Sequence, residues 1–267
     1  MILSPSKRAE SFGIDPKKSL GQNFLFDLNI TRKIVASCGD ISGLNIIEIG
    51  PGPGGLTQVI LEQDIRKLYS IEFDKRAVTA LHDLETVYGE KFQIIEADAL
   101  KYSIEQISEP KAVIANLPYN IGTKLITNWL DERGYFKFIC VMLQKEVAER
   151  ITASTRTKDY GRLSVIVQWQ CETEILFHVP PSAFFPPPKV TSTVIKLTPR
   201  KQPLFPANKK RLEDVLRAAF GQRRKMIKSA LKSVLPDTEN ALKNIGINPQ
   251  ARAEELSIEE FCKIANI

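Results

Sequence analysis

The sequence predicts an α/β fold in which a mixed, mostly parallel sheet is followed by a small all-α domain. Strand-like and helix-like patterns alternate over residues 1–120, a glycine-rich turn follows the first buried strand, and the hydrophobic period becomes helical after residue 200. The 267 residues suffice for one full core and a smaller appendage. We therefore predict two domains, residues 1–199 and residues 200–267.

Four predicted strands form the first part of the sheet. They cover residues 45–49, 67–73, 92–97 and 112–116. Apolar stripes at helical spacing predict helices beside them, the first of which is capped by Asp27. The crossovers are long enough for parallel pairing, so the carboxyl ends of these strands meet at one edge, where doubly wound sheets bind their ligands.

The rest of the first domain is predicted to be rich in strands. A helix around residues 145–151 is followed by β-rich runs at 162–170, 172–179 and 191–197. We expect these runs to extend the sheet with an antiparallel portion.

The second domain is predicted to be helical. Residues 198–210 contain three prolines and are interpreted as a linker. Apolar stripes beginning at Leu212 and at Ile227 predict two helices, and Ser257 with Glu260 predicts a capping box for a last one.

The second domain also carries the excess positive charge of the chain. The net charge is +6, and between Arg200 and Lys232 eleven Lys and Arg residues stand against only two acids. Arg223, Arg224 and Lys225 lie together at the predicted start of the second helix. Such a segment favours a polyanionic partner, and a merely solvated helix face is the alternative.

Composition argues against several classes of protein. The longest apolar runs, such as residues 138–143, are too short to span a membrane, and the N-terminus lacks the apolar stretch of a secretory signal. We therefore expect a cytoplasmic protein with no membrane contact, and nothing suggests that it is other than a monomer. The cysteines are scattered without a CxxC pair, so we predict free thiols and no metal site. They are Cys38, Cys140, Cys171 and Cys262.

The glycine-rich turn at Gly50–Gly55 indicates close approach of the backbone to a ligand. Its GxGxxG pattern is shared with NAD and FAD enzymes, and a tight turn without a ligand is the structural alternative. The chain lacks the second half of a dehydrogenase fold and a Walker lysine, which argues against hydride and phosphate transfer.

Polar residues at three successive strand ends narrow the choice of ligand. Glu72 lies 22 positions after Gly50, where a carboxylate can accept hydrogen bonds from both ribose hydroxyls of an adenosine. Asp98 is placed to accept from an adenine amino group, and Asn116 ends the fourth strand. We therefore predict an adenosine-containing cofactor.

Asn116, Leu117, Pro118 and Tyr119 follow the fourth strand directly. Motifs of the form [N/D/S]-x-P-[Y/F/W] are typical of enzymes that methylate exocyclic or amide nitrogens. This loop makes S-adenosylmethionine the expected cofactor.

Eight motifs spread over the chain resemble the KsgA family, the ribosomal RNA small-subunit adenine N6,N6-dimethyltransferases. They are LGQNFL (20–25), EIGPGPGGLT (48–57), IEFDKR (71–76), EADAL (96–100), NLPYNI (116–121), MLQKEVAER (142–150), FFPPPKVTS (184–192) and AFGQRRK (219–225). The resemblance implies a Rossmann-like class I methyltransferase domain. It also implies dimethylation of two adjacent adenosines in the 3'-terminal hairpin of 16S rRNA, within a precursor of the small ribosomal subunit.

The resemblance also implies roles for individual residues. The Asn116 side-chain oxygen and the Leu117 carbonyl, which Pro118 frees from helical bonding, are the expected acceptors for the adenine amine. Tyr119 is expected to stack on the target base, and Phe184 on its other face or across the pocket, with Phe185 as the competing aromatic. The residues expected to contact the cofactor are Asn23, Leu25, Gly50, Gly52, Glu72, Asp98 and Asn116, and those expected to contact RNA phosphates are Arg223, Arg224 and Lys225.

The basic N-terminal segment before LGQNFL is expected to stay mobile until RNA binds. Its cations are Lys7, Arg8, Lys17 and Lys18.

Two other functions are compatible with parts of this pattern. Related enzymes methylate a large-subunit adenine and confer macrolide resistance, but the basic FGQRRK stretch and the helical domain after it favour the small-subunit branch. A non-catalytic assembly factor would be expected to have lost Glu72, Asp98 or the Asn116–Tyr119 loop, and all are present.

Overall fold

A computed structural model describes residues 2–16, 21–131 and 136–267, and within these it divides into two compact units. The first unit comprises residues 1–148 and 174–199, and the second comprises residues 149–173 and 200–267. Residues 149–173, which the sequence predicts to belong to the first domain, group with the second unit. Lys17 and Lys18 lie outside the described residues.

The described chain contains nine strands. They are β1 (Phe24–Leu25), β2 (Asn45–Ile49), β3 (Lys67–Glu72), β4 (Phe92–Glu96), β5 (Lys111–Asn116), β6 (Phe136–Gln144), β7 (Cys171–Val179), β8 (Phe184–Phe185) and β9 (Ser192–Pro199). Seven of them form one sheet in the order β4-β3-β2-β5-β6-β9-β7, and β1 pairs with β8. The sheet is parallel from β4 to β6, whereas β9 runs antiparallel to β6. The predicted mixed, mostly parallel sheet is therefore confirmed.

Eleven α-helices accompany these strands in the described chain. They are α1 (Pro5–Ser11), α2 (Leu28–Ser37), α3 (Gly55–Leu61), α4 (Lys75–Tyr88), α5 (Gly122–Asp131), α6 (Lys145–Thr152), α7 (Arg162–Gln170), α8 (Lys209–Gly221), α9 (Ile227–Ala230), α10 (Thr238–Asn244) and α11 (Ile258–Ala265). Both predicted caps are confirmed: Asp27 accepts the Asn29 N–H, and Ser257 and Glu260 form a capping box. None of the helices in the described ranges combines the length and apolar character needed to cross a membrane.

The strand predicted at residues 162–170 is wrong, because this run forms helix α7. A continuous apolar run has no period that separates a buried strand from a buried helix, and its β-branched content favoured the strand. Here Val165, Val167 and Trp169 are all buried, although they point in different directions around the helix. The sequence of α7 therefore shows no apolar stripe along one face of a helix. The Trp169 indole N–H donates to the Phe205 carbonyl at 2.7 Å, which joins α7 to the chain that precedes α8.

Each unit has its own apolar core. In the first unit, β2, β5 and β6 are buried along nearly their whole length, as expected for parallel strands covered on both faces. In the second unit, Phe220 meets Tyr160 edge-on at 6.0 Å and lies 5.5 Å from Phe261, measured between ring centroids.

Helix α1 is anchored in the first unit by a buried arginine. The Arg8 guanidinium contacts the Asp83 carboxylate of α4 at 3.2 Å and donates to the Pro53 carbonyl in the glycine-rich turn at 2.8 Å. It also donates to the Leu3 carbonyl. The expected mobility of the N-terminal segment stays a prediction, and for Arg8 it requires that a buried, paired cation leave its partners.

Replacing Arg8 by methionine should lower the free energy of unfolding by about 2–4 kcal/mol, because the change leaves Asp83 and the Pro53 carbonyl without their partner. Urea unfolding followed by circular dichroism measures the effect. Lys7→Ala, at an exposed position of the same helix, is the matched control and should change stability little. Equal stability of the two variants would contradict the assigned role of Arg8.

Candidate functional site

A cavity of about 300 Å³ lies at the carboxyl ends of the parallel strands β2 to β5. Its walls come from the segment around β1, the glycine-rich turn, and the residues that follow β3, β4 and β5. Ten of the predicted site residues line it: Asn23, Leu25, Gly50, Gly52, Glu72, Asp98, Asn116, Leu117, Pro118 and Tyr119. The topology brings these distant parts of the sequence together because parallel strands all end at the same edge.

The glycine-rich turn requires glycine for two separate reasons. Gly50 and Gly52 have φ angles of +67° and +53°, which residues with a side chain rarely adopt. A Cβ on Gly52 would also lie 3.0 Å from the Phe24 ring. The turn therefore presents bare backbone to the cavity, as close approach to a ligand demands.

Glu72 links this turn to the end of β3. Its Oε2 accepts the Gly52 N–H at 3.2 Å, and its Oε1 accepts the Phe73 and Asp74 N–H groups at 2.8 Å each. Burial raises the pKa of this carboxyl, which is only 6% exposed, while the three backbone donors act against that rise. A carboxylate offers about four lone-pair positions, so Oε2 can still accept from a ligand hydroxyl.

Asp98 and Asn116 complete the polar edge of the cavity. Asp98 Oδ1 accepts the Leu100 N–H at 3.0 Å, and its side chain stays about one third exposed. The Asn116 amide nitrogen donates to the Asn23 carbonyl at 3.4 Å. This contact leaves the Asn116 side-chain oxygen as the group that can accept from a ligand.

Tyr119 is held by a hydrogen bond that the sequence analysis missed. Its hydroxyl lies 2.6 Å from the Ser192 Oγ at the fully buried start of β9. Burial raises the pKa of the Tyr119 phenol, so it stays protonated at neutral pH. Ser192 is the last residue of the FFPPPKVTS motif, so the sequence did single out its segment. The motif does not indicate that Tyr119 is the hydrogen-bond partner of Ser192.

Glu48, like Ser192, is a residue to which the sequence analysis assigned no role. It is buried in β2 and lines the cavity, and its Oε2 accepts from the Thr57 and Ser70 hydroxyls at 2.8 Å each. Burial raises the pKa of Glu48 to about 7, although both hydrogen bonds lower it. The signal for it was an acid inside the otherwise apolar run NIIEI.

Phe184 does not reach the cavity. It is 5% exposed and packs in the apolar core of the first unit, whereas the adjacent Phe185 is 59% exposed. The strand β8 that contains both residues pairs with β1, so that Phe185 lies opposite Phe24, and Phe184 opposite Leu25. Alternate residues of a strand point to opposite faces, which is why one phenylalanine is buried and the other is not.

The three basic residues predicted to begin a helix lie instead in the turn between α8 and α9, which is a correction. Two hydrogen bonds hold the Arg223 side chain within the second unit. Its Nε donates to the Glu254 carboxylate at 2.8 Å, and its Nη2 donates to the Lys158 carbonyl at 2.6 Å. Arg224 and Lys225 are exposed. Helix α8 ends at Gly221, so the basic residues that follow it fall in the turn.

The raised pKa of Glu48 predicts how stability depends on pH. Between its ordinary value of 4.5 and about 7, the folded protein holds a proton that the unfolded chain has lost, so the free energy of unfolding falls as pH rises. Glu48→Gln keeps an acceptor for both hydroxyls and removes the titration. The variant should gain about 2.5 kcal/mol relative to the unchanged protein between pH 5 and pH 8, measured by urea unfolding. A difference that does not vary with pH would contradict the buried, titrating carboxyl.

Comparisons with known proteins agree with this geometry. Residues 14–267 match the family described as "Ribosomal RNA adenine dimethylase". Proteins named "Ribosomal RNA small subunit methyltransferase A" from Paramagnetospirillum magneticum and Agrobacterium fabrum are both 49% identical, over 95% of this chain and 90% and 93% of their own lengths.

Solved structures agree as well. A dimethyladenosine transferase from Plasmodium falciparum aligns with a TM-score of 0.80 at 26% identity, covering 90% of this chain and 95% of that one. The 23S rRNA methyltransferase ErmE aligns with a TM-score of 0.69, also at 26% identity, covering 91% of this chain and 98% of that one. The predicted class I methyltransferase fold is confirmed, and the chain belongs to the ribosomal RNA adenine dimethylase family.

Proposed function

We propose that this chain transfers methyl groups from S-adenosylmethionine to the N6 amines of two adjacent adenosines in the 3'-terminal hairpin of 16S rRNA. The products are N6,N6-dimethyladenosines in a precursor of the small ribosomal subunit. The observation that carries the proposal is the loop from Asn116 to Tyr119, which ends β5 inside a cavity that also holds Glu72 and Asp98. The small-subunit target is supported by the names of relatives that are 49% identical.

The donor set of the cavity fits the cofactor. Glu72 keeps a lone pair for a ribose hydroxyl, Asp98 presents a partly exposed carboxylate to an adenine amino group, and the bare backbone at Gly50 and Gly52 allows close approach. Leu25 and Asn23 also line the cavity. S-adenosylmethionine supplies a methyl group on a sulfonium, which is already electrophilic.

Asn116 and Leu117 make the adenine amine a better nucleophile. The lone pair of this amine is delocalised into the ring, and hydrogen bonds from the amine to two acceptors draw the nitrogen toward tetrahedral geometry. The Asn116 oxygen is free to accept because its amide nitrogen is turned to the Asn23 carbonyl. Positioning for in-line attack then provides most of the acceleration, and the surplus proton leaves to water.

Tyr119 provides the face on which the target base stacks. Its ring lines the cavity while its hydroxyl is held at Ser192, so the ring is fixed by a contact that does not involve the base. Stacking on an aromatic ring contributes roughly 1–3 kcal/mol, which offsets the cost of taking the base out of its helix.

The second unit contacts RNA through phosphates. Arg224 and Lys225 are exposed cations in the α8–α9 turn, and Arg223 supports this turn through Glu254. Such contacts give salt-dependent affinity without sequence information, so the choice of adenine depends on RNA shape and on the cavity. The chain acts in the cytoplasm as a monomer.

The direct test is labelled methyl transfer to unmethylated small subunits, large subunits and naked ribosomal RNA in parallel. Small subunits should incorporate about four methyl groups, recovered as dimethyladenosine. Incorporation into large-subunit RNA would instead indicate an activity of the macrolide-resistance type. Tight cofactor binding without incorporation into any RNA would favour an assembly factor.

Asn116→Ala should lower the rate of methyl transfer by about 100-fold or more, because the amine loses one of its two acceptors. Calorimetric titration should show that cofactor affinity changes far less. If the variant transfers methyl groups at the normal rate, Asn116 is not an acceptor for the amine.

Ser192→Ala should lower the methyl transfer rate at saturating substrates by about 10-fold, because the Tyr119 ring loses its anchor. Tyr119→Phe removes the same hydrogen bond from the other side and should have the same effect, and the double variant should be no slower than either. Additive losses would show that Ser192 acts by a route other than Tyr119.

A further inference from the structure

Phe185 is a large apolar side chain that the fold leaves in solvent. It exposes 59% of its surface, although its neighbour Phe184 is buried in the core. Residues Pro187 and Lys189 in the same segment are exposed as well. An exposed aromatic ring in a segment that also carries an exposed cation favours a partner with flat apolar faces and negative charge.

The strand pairing places this ring beside the cavity. Phe185 is the register partner of Phe24, and Phe24 lines the cavity wall. Paired residues of antiparallel strands have Cα atoms about 4.5–5.5 Å apart. Phe185 therefore lies next to the part of the cavity wall that Phe24 forms.

A second aromatic ring supports Phe185 from behind. The Phe26 ring centroid lies 6.3 Å from that of Phe185, with an angle of 35° between the ring planes. Phe26 in turn lies 6.1 Å from Phe24 and packs against the small apolar cluster of Ile14, Phe24, Ala77 and Ala80. The exposed ring thus rests on a fixed aromatic base, so little side-chain entropy is lost when something stacks on it.

We propose that Phe185, backed by Phe26, is a stacking site for the nucleobase next to the one held in the cavity. This inference rests on the proposed function, in which single-stranded RNA delivers one adenine to Tyr119. The neighbouring adenine, which cannot enter the cavity at the same time, is held unstacked from its own helix on Phe185. The site recognises the aromatic face of a base and not its edge, where N6 lies. It therefore accepts the neighbouring adenine both before and after that adenine is methylated.

The test combines protein variants with altered RNA. The probe is a fluorescein-labelled hairpin with two adjacent adenines, and its dissociation constant is measured by anisotropy with the full chain and S-adenosylhomocysteine. Phe185→Ala should weaken binding about 10-fold, and Phe185→Trp should restore it. A hairpin with an abasic site in place of the neighbouring adenine should bind the unchanged protein about 10-fold more weakly, and Phe185→Ala should add no further loss. Losses that multiply, or no loss at all, would overturn the proposal.

Two further measurements keep the outcomes distinct. Val87→Ala removes a similarly exposed apolar side chain on α4 and should leave binding of both hairpins unchanged. A 2-aminopurine at the neighbouring position is quenched while it stacks in its own strand, so its fluorescence should rise on binding the unchanged protein and rise less on binding Phe185→Ala. If the unchanged protein methylates small-subunit RNA but the two losses multiply, the stacking site is wrong and the proposed function stands. If it neither methylates nor binds the hairpin, both are wrong.

Discussion

The three backbone hydrogen bonds accepted by Glu72 are the interaction on which the candidate site depends. One carboxylate joins the glycine-rich turn after β2 to the end of β3 and to the start of α4. Gly52 lies 20 residues before Glu72, whereas Phe73 and Asp74 follow it directly. Without the carboxylate, all three backbone N–H groups would be left unpaired near an open cavity. The same buried position that raises the pKa of Glu72 makes its remaining lone pair a strong acceptor for a ligand. Structural support and ligand recognition therefore come from the same side chain.

Much of the sheet and of the cofactor side of the cavity could be predicted from sequence. Strands such as β2 and β5 are short apolar runs bounded by turn residues, and the residues at their carboxyl ends converge for topological reasons alone. The run that became α7 could not be assigned in this way, because a helix buried on all sides has no apolar stripe. The wrong assignment also hid the fact that residues 149–173 belong with the second unit, since a strand there would extend the sheet of the first.

The remaining errors concern which neighbour a side chain meets. Phe184 and Phe185 are adjacent and chemically identical, and only the pairing of β8 with β1 decides which of them faces solvent. The sequence gives Glu48 no recognisable role, because that role depends on its hydrogen bonds with Thr57 and Ser70. The same holds for Ser192 and its hydrogen bond with Tyr119. Arg223 resembled its two basic neighbours until Glu254, 31 residues further along, proved to be its partner. Such long-range contacts leave no trace in local periodicity or composition.

The anchoring of α1 by Arg8 has a consequence for the N-terminal end of the chain. No residue of α1 lines the cavity, yet its arginine supports the Pro53 carbonyl within the turn that does. Proteolytic trimming or a bulky fusion at this end would act on cofactor affinity without touching a single ligand-contacting group. Such damage would look like a defect in the active site when assayed, although its origin would lie in the first eleven residues.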